Sequence, residues 1–106
     1  MELSLEPTRI TDNMKRLHGM LRPSIRSGVS FTYDVQIAGE KDDWILADSH
    51  RLQQIFTNVV TNAIKYTITG YIRLSVNWEG NVLCFQCEDT GPGIPKDQVR
   101  GLERLT

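Results

Sequence analysis

Two stretches of the chain carry apolar residues at helical spacing. In the first, apolar positions from Ile10 to Ile25 recur every three or four residues, which predicts an amphipathic helix that Pro23 kinks or shortens near its end. In the second, the same template runs without a miss through Leu52, Ile55, Phe56, Val59, Val60, Ala63 and Ile64. We predict that one face of this second helix is core and that Asp48 or Ser49 caps it.

Alternation of apolar and polar residues predicts the strands. Residues Val29 to Ile37 and Ile72 to Trp78 follow the period of two that is typical of half-buried strands, and a short strand is expected at 44–47. After a turn at 79–81, residues Val82 to Cys87 are almost continuously apolar. Such a run indicates a central strand that is covered on both faces or nearly so.

The composition is that of one soluble globular domain spanning residues 1–106, with 40% hydrophobic and 24% charged residues. The net charge of −1 comes from 12 basic and 13 acidic residues that are mixed along the chain. No basic stripe is therefore expected, and nucleic acid is not expected as a partner. No stretch approaches the roughly 20 apolar residues of a membrane span. We expect a soluble segment, whose parent protein can still be anchored in a membrane.

The two cysteines form the motif Cys84-Phe85-Gln86-Cys87, a spacing that redox and zinc sites use. Here the motif lies in the predicted central strand, where residues three apart point to opposite faces. The thiols could then neither bridge nor share a metal. Two reduced and largely buried thiols are the better interpretation.

Polar side chains follow one stripe of the second helix, directly beside its core face. At about 100° per residue, Asn58, Asn62 and Lys65 share this stripe, and Tyr66 falls between the stripe and the core. Amide oxygens suit Mg²⁺, and an ammonium group suits phosphate. A solvated helix flank is the alternative interpretation. However, two asparagines in mid-helix cost stability that glutamate or lysine would not.

A carboxylate and two glycines follow the predicted central strand, in Asp89-Thr90-Gly91-Pro92-Gly93-Ile94-Pro95. Glycines allow a ligand to approach the backbone closely. An ionised carboxylate only accepts hydrogen bonds, so in a pocket it would select adenine, with its exocyclic amine, over guanine. The alternative is an ordinary strand-ending turn rich in Asp, Gly and Pro. The motif is not a P-loop.

Together these two segments resemble the N box (residues 58–67) and the first glycine box (residues 89–95) of sensor histidine kinases. The resemblance covers roughly residues 10–106, including the intervening hairpin. It implies the Bergerat-type ATP-binding domain, an α+β fold in which helices form one layer of a two-layer α/β sandwich on one face of a mixed sheet. This fold agrees with the elements predicted above. It also implies ATP and Mg²⁺ as ligands.

The resemblance assigns the catalytic roles to the helical stripe. By it, Asn62 would hold Mg²⁺ against the ATP phosphates, Asn58 would help position that metal site, and Lys65 would contact phosphate.

The remaining roles implied by the resemblance concern the nucleotide pocket. Tyr66 would line the pocket, and Asp89 would accept a hydrogen bond from the adenine amine. Gly91 and Gly93 would shape the wall, and Ile94 would pack on the base.

The implied activity is transfer of the ATP γ-phosphoryl group to a histidine on a separate helical dimerisation domain, with a response regulator receiver domain downstream in the cytoplasm. The alternative is a degenerate or truncated kinase-like module that binds other proteins. A hydrolytic ATPase is a distant third, because its relatives carry a glutamate where this chain has Asn58, and an amide is a poor general base.

Several parts of the family pattern are not found before Thr106, namely the complete ATP lid and the second glycine box; residues 101–106 look like the beginning of the lid. The phosphoacceptor motif is missing too, and His18 and His50 are interpreted as surface or capping residues. We therefore expect the chain alone not to autophosphorylate. We also expect it to be able to self-associate through an uncovered sheet edge.

Overall fold

A computed structural model describes residues 4–90 and 97–103 of the chain. Its helices are α1 (Ile10–Leu21) and α2 (Ser49–Tyr66), and its strands are β1 (Glu6–Arg9), β2 (Val29–Gln36), β3 (Trp44–Ala47), β4 (Gly70–Glu79), β5 (Val82–Asp89) and β6 (Asp97–Glu103). Short 3-10 turns occupy Arg22–Ser24 and Glu40–Asp43.

The main sheet has four strands in the order β2-β4-β5-β6, and β1 and β3 form a separate antiparallel pair. Strands β2 and β4 run parallel, whereas β5 is antiparallel to both of its neighbours, so the main sheet is mixed. Both helices pack against one face of this sheet, α1 on β2 and α2 on β5. The predicted α+β fold with one helical layer on a mixed sheet is confirmed.

The core lies between the helices and the sheet, because each element turns its apolar residues to this layer. Met14 and Leu17 of α1 are fully buried. From α2, the ring of Phe56 stacks on that of Phe85 in β5, with the centroids 4.2 Å apart and the planes at 12°. This stack fixes α2 above the strand that leads to the predicted first glycine box.

The ends of the helices follow local sequence signals. Helix α1 ends at Leu21, and Pro23 lies in the 3-10 turn that follows, so the predicted shortening is confirmed. Ile25 was predicted to continue the helical stripe but lies beyond the helix, although it still packs against the core. At the start of α2, Asp48 is the cap, and its side chain accepts a hydrogen bond from the Arg51 N–H at 3.2 Å.

Several further sequence interpretations need correction. Ile55 was assigned to the core face but is 38% exposed, because it lies at the edge of the face that contacts the sheet. Strands β1 and β6 were not predicted, and residues 101–103, which were interpreted as the beginning of the lid, lie in β6. His18 was interpreted as a surface or capping residue, but it is half-buried, and its ring stacks on that of Phe31 with centroids 4.5 Å apart.

Strand β5 lies between β4 and β6 and is therefore internal to the sheet, as predicted. Leu83, Phe85 and Cys87 belong to the core on the helix side. Cys84 is also buried but lies outside this core, on the opposite face of the strand. The prediction of two buried thiols that point to opposite faces is confirmed.

Candidate functional site

The predicted polar stripe lies on the solvent-facing side of α2. Asn58, Asn62 and Lys65 are exposed. Within the described ranges, none of their side chains makes a hydrogen bond or ion pair; the Lys65 ammonium lies 5.5 Å from the centre of the Tyr66 ring, which is 42% exposed. These groups therefore satisfy no requirement of the fold, and they are available to a ligand.

The two flanks of α2 differ in what covers them. On one flank, the Gln53 amide donates to the backbone and side-chain oxygens of Asn13 in α1, both at 2.7 Å. At about 100° per residue, Asn62 and Tyr66 lie on the opposite flank from Gln53. Asn62 and Tyr66 thus lie on the side of α2 that α1 leaves uncovered, whereas Asn58 lies nearer to α1.

Asp89 ends strand β5 on the helix side of the sheet. Alternate residues of a strand share a face, so Asp89 projects on the same side as Phe85 and Cys87, which pack under the helices. It pairs in register with Ile72, a buried residue at the start of β4, and is itself half-buried. The carboxylate therefore lies on the same side of the sheet as the stripe of α2.

Hydrogen bonds of Thr90 connect the start of the first glycine box to the segment that directly follows the N box. Its hydroxyl donates to the Thr69 carbonyl oxygen at 2.8 Å and accepts from the Tyr71 N–H at 3.0 Å. Its own N–H donates to the Tyr71 carbonyl oxygen at 3.2 Å. Gly70 is needed at this junction because its φ is +100° and a Cβ there would clash with the Thr90 hydroxyl. This contact joins residues about 20 positions apart and was not predicted from the sequence.

Two further polar groups near this junction were not found from sequence. The side chain of Thr67, the residue that ends α2, is only 1% exposed, and its hydroxyl has no hydrogen-bond partner in the described part of the chain. The Tyr71 hydroxyl donates to Glu88 at 2.7 Å, and this bond raises the pKa of Tyr71 above its usual value. The end of the sheet next to Asp89 is therefore rich in polar groups.

Gly91, Gly93 and Ile94 lie outside the described residues, so their predicted roles stay predictions.

A cavity of about 660 Å³ lies between α1 and α2. Among the predicted site residues that the structure describes, only Asn58 lines it; the other lining residues are Arg16, Met20, Ser49, His50, Gln53, Gln54 and Thr57. Asn62, Tyr66 and Asp89 lie outside this cavity. The stripe and Asp89 lie on the helix side of the sheet, and Thr90, next to Asp89, bonds the segment that follows the N box.

Within residues 4–90 and 97–103, no helix is both long and apolar enough to cross a membrane.

Comparisons with known proteins find related sensor kinases. The family model described as histidine kinase-, DNA gyrase B- and HSP90-like ATPase matches residues 47–105, which include both predicted boxes. The autoinducer 2 sensor kinase/phosphatase LuxQ of Vibrio parahaemolyticus is 34% identical over 100 residues, which are 88% of this chain and 11% of LuxQ. A sensor-like histidine kinase of Rhizobium meliloti (strain 1021) is 38% identical over 104 residues, which are 95% of this chain and 19% of that protein.

Solved structures give the same result. The crystal structure of full-length ShkA in complex with AMPPNP aligns with a TM-score of 0.77 and 32% identity, over 90% of this chain and 20% of ShkA. The chain therefore spans no more than about a fifth of the length of the relatives named here. From the family match, these relatives and the shared fold, the chain belongs to the histidine kinase-, DNA gyrase B- and HSP90-like ATPase family, as the ATP-binding domain of a sensor histidine kinase.

Proposed function

We propose that the chain binds ATP with Mg²⁺ and presents the γ-phosphoryl group to a histidine on a separate dimerisation domain of its parent kinase. The observation that carries this proposal is the placement of Asp89 and the Asn58–Asn62–Lys65 stripe on the same side of the sheet. The hydrogen bonds of Thr90 support it, because they hold the start of the first glycine box against Thr69 and Tyr71, just after the N box. The likeness to ShkA, whose structure contains AMPPNP, adds support.

Each side chain would have a defined task. The Asp89 carboxylate would accept a hydrogen bond from the adenine amine, which selects adenine over guanine. The Tyr66 ring would line the pocket, and Lys65 would pair with a phosphate oxygen. Gly91 and Gly93 would form the wall, and Ile94 would pack on the base.

The donor set fits Mg²⁺. The amides of Asn58 and Asn62 are exposed and have no partner among the described residues, and amide oxygens are suitable ligands for a hard cation that keeps several waters and binds substrate phosphates. Asn62 would hold the ion, and Asn58 would help position it. When bound, the ion would neutralise charge on the phosphates.

The proposed partners are two protein domains. A dimerisation domain of the parent kinase would supply the acceptor histidine, and a receiver domain of a response regulator would take the phosphoryl group next, in the cytoplasm. We expect the chain alone not to autophosphorylate, so acid-labile phosphate on the isolated chain after incubation with ATP would contradict this part of the proposal.

A second candidate function is a protein-interaction module without kinase activity. It is favoured by a cluster of exposed apolar residues on one flank of the domain, where Leu5, Leu46 and Ile55 line a cavity of about 240 Å³. Leu5 is 58% exposed and Leu46 is 50% exposed, which is unusual for large apolar side chains that lie together.

Nucleotide titration separates the two candidates. Mg²⁺ and AMPPNP are added to the isotope-labelled chain and followed by amide NMR. The kinase proposal expects saturable shifts at Asn58, Asn62, Asp89 and Gly93, and weaker binding of the guanine analogue GMPPNP. Shifts should be small around Arg9 and Asp43, which lie away from the proposed site. A spectrum that does not respond to the nucleotide would reject the proposal in favour of the interaction module.

A further inference from the structure

The basic residues are distributed unevenly in spite of the balanced net charge. Residues 13–33 contain four of the 12 basic residues, Lys15, Arg16, Arg22 and Arg26, and no acidic residue. The remainder of the chain is consequently net negative. This stretch covers most of α1, the 3-10 turn and the first half of β2.

Two consecutive turns bring part of this charge around one concavity. The Ile25 N–H donates to the Arg22 carbonyl oxygen at 3.1 Å, and the Val29 N–H donates to the Arg26 carbonyl oxygen at 3.0 Å. Gly28 permits the second turn, with φ at +90°. The resulting cavity of about 450 Å³ has an apolar part, formed by Ile25, Val29 and Phe31, and a polar part, formed by His18, Arg22, Arg26, Ser27 and Ser30.

The two guanidinium groups of this cavity have no carboxylate partner within the described ranges. Arg9 provides the contrast, because its guanidinium bonds the Asp43 carboxylate at 2.8 Å. The dipole of α1 accounts for a cation at Arg22, the C-cap of the helix, but Arg26 lies beyond the last helical turn. Stability of the helix therefore does not explain why both arginines are present.

Two contacts fix the orientation of the His18 ring. Its Nε2–H donates to the Phe31 carbonyl oxygen at 2.8 Å. The ring is held between α1 and β2 by its stack on Phe31. The imidazole is thus a rigid wall of the cavity.

The cavity lies at the same end of the sheet as the candidate nucleotide site. Val29 pairs with Gly70 in the parallel β2–β4 ladder, and Gly70 contacts Thr90. Helix α1 runs in the same direction as α2, because Asn13 bonds Gln53 and Met20 lines a cavity with Asn58. Helix α2 therefore separates the basic cavity from the open flank that carries Asn62 and Tyr66.

We propose that this cavity, the basic pocket of His18, Arg22, Arg26, Ser27 and Ser30, is a second anion site that binds a phosphate-type oxyanion. Guanidinium groups match the oxygens of phosphate with two parallel hydrogen bonds, and the serine hydroxyls provide further donors. The site is distinct from the one proposed for ATP and does not depend on it.

The test is a titration of the isotope-labelled chain with inorganic phosphate, at constant ionic strength maintained with chloride. We expect saturable amide shifts confined to residues 18–30. In the double variant R22A/R26A the affinity should fall by about tenfold or more, as expected for the loss of charge-assisted hydrogen bonds. A matched control is K15A/K41A, which removes two positive charges outside the pocket and should retain wild-type affinity.

Three outcomes would overturn the proposal. They are shifts that chloride alone reproduces, shifts that persist in a folded R22A/R26A variant, and an equal loss in K15A/K41A. Repeating the titration after saturation with Mg²⁺ and AMPPNP distinguishes free phosphate from the phosphate tail of the nucleotide. If phosphate still shifts residues 18–30 in the nucleotide-saturated chain, the basic pocket binds an anion other than the nucleotide. If AMPPNP itself does not bind, only the proposed ATP-binding function is contradicted.

Discussion

Two polar regions of the molecule are built in opposite ways. Near the start of α1, the Asp43 side chain is buried, with 5% of the residue exposed. Its carboxylate accepts hydrogen bonds from the Arg9 guanidinium at 2.8 Å, the Thr11 N–H at 2.9 Å and the Thr11 hydroxyl at 2.8 Å. On α2, the amides of Asn58 and Asn62 are exposed and have no partner among the described residues.

The difference separates polar groups that hold the fold from polar groups that are free to bind. A buried charge must be paired and hydrogen-bonded, so the partners of Asp43 are required by its burial. An exposed amide needs no protein partner, but asparagine in mid-helix lowers helix stability. The asparagines of the stripe therefore lower the stability of α2 and make no stabilising hydrogen bond within the described ranges. Residues that serve a ligand are expected to behave in this way.

The largest effect is expected from removal of the structural carboxylate. Asp43→Ala should lower the free energy of unfolding by about 2–4 kcal/mol, because it leaves part-buried donors of Arg9 and Thr11 without an acceptor. Urea denaturation followed by circular dichroism measures it. Glu40→Ala, at an exposed position of the same turn, should change stability by less than about 0.5 kcal/mol. Equal losses of unfolding free energy in the two variants would contradict the structural role of Asp43.

Next in size is the loss of the proposed adenine acceptor. Asp89→Asn should weaken nucleotide binding by about 1.5–3 kcal/mol, the scale of a charge-assisted hydrogen bond, and should leave the protein folded. Isothermal titration calorimetry with Mg²⁺ and AMPPNP measures the affinity. The control Asp34→Asn removes an exposed carboxylate of β2 and should bind like the wild type. An unchanged affinity in Asp89→Asn would exclude this residue from the site.

Replacement of a stripe asparagine should raise stability slightly, whereas replacement of Asp43 lowers it. Asn62→Ala should raise the free energy of unfolding by about 0.5 kcal/mol through helix propensity, while it weakens Mg²⁺-dependent nucleotide binding. Thr61→Ala, at an exposed neighbouring position of α2, should not weaken that binding. If Asn62→Ala kept wild-type affinity, the stripe would be only a solvated flank.

The smallest effect concerns the cap of α2. The N–H groups of Ser4 and then Arg51 donate to Asp48 and lower the pKa of its carboxyl. A lowered pKa means that this carboxylate stabilises the fold above its unfolded pKa, and that the contribution disappears as the pH falls below about 4.

The difference in urea midpoint between wild type and Asp48→Ala should therefore be present near pH 7 and shrink toward about pH 3. Asp48→Asn keeps a capping oxygen without a titrating group, so its midpoint should lack this component of the pH dependence. A constant difference between wild type and Asp48→Ala would contradict the assignment.

The elements that were predicted correctly are those whose apolar residues form a simple local pattern. Helix α2 and strands β2 and β4 each turn one repeating set of apolar residues to the core, and this period is visible in the sequence. Strand β5 was predicted from its nearly continuous apolar run, which is typical of an internal strand. Strand β1 has no such pattern. It exists because Glu6 to Arg9 pair with residues 44–47, a contact distant in sequence. Ile55 fits the helical period but is 38% exposed, because it lies at the edge of the face that packs on the sheet.

The sequence by itself determined which chemical groups are available: two asparagines and a lysine at helical spacing, and an aspartate at the end of an apolar strand. Their types and periods are local properties, so they can be derived from the chain without coordinates.

The tertiary structure alone decided where these groups lie relative to one another. The strand register places Asp89 beside Ile72 on the helix side, the hydroxyl of Thr90 reaches back to Thr69, and two turns gather Arg22 and Arg26 around one cavity. These relations depend on the pairing and packing of elements far apart along the chain, and such contacts leave no periodic pattern in the residues that form them.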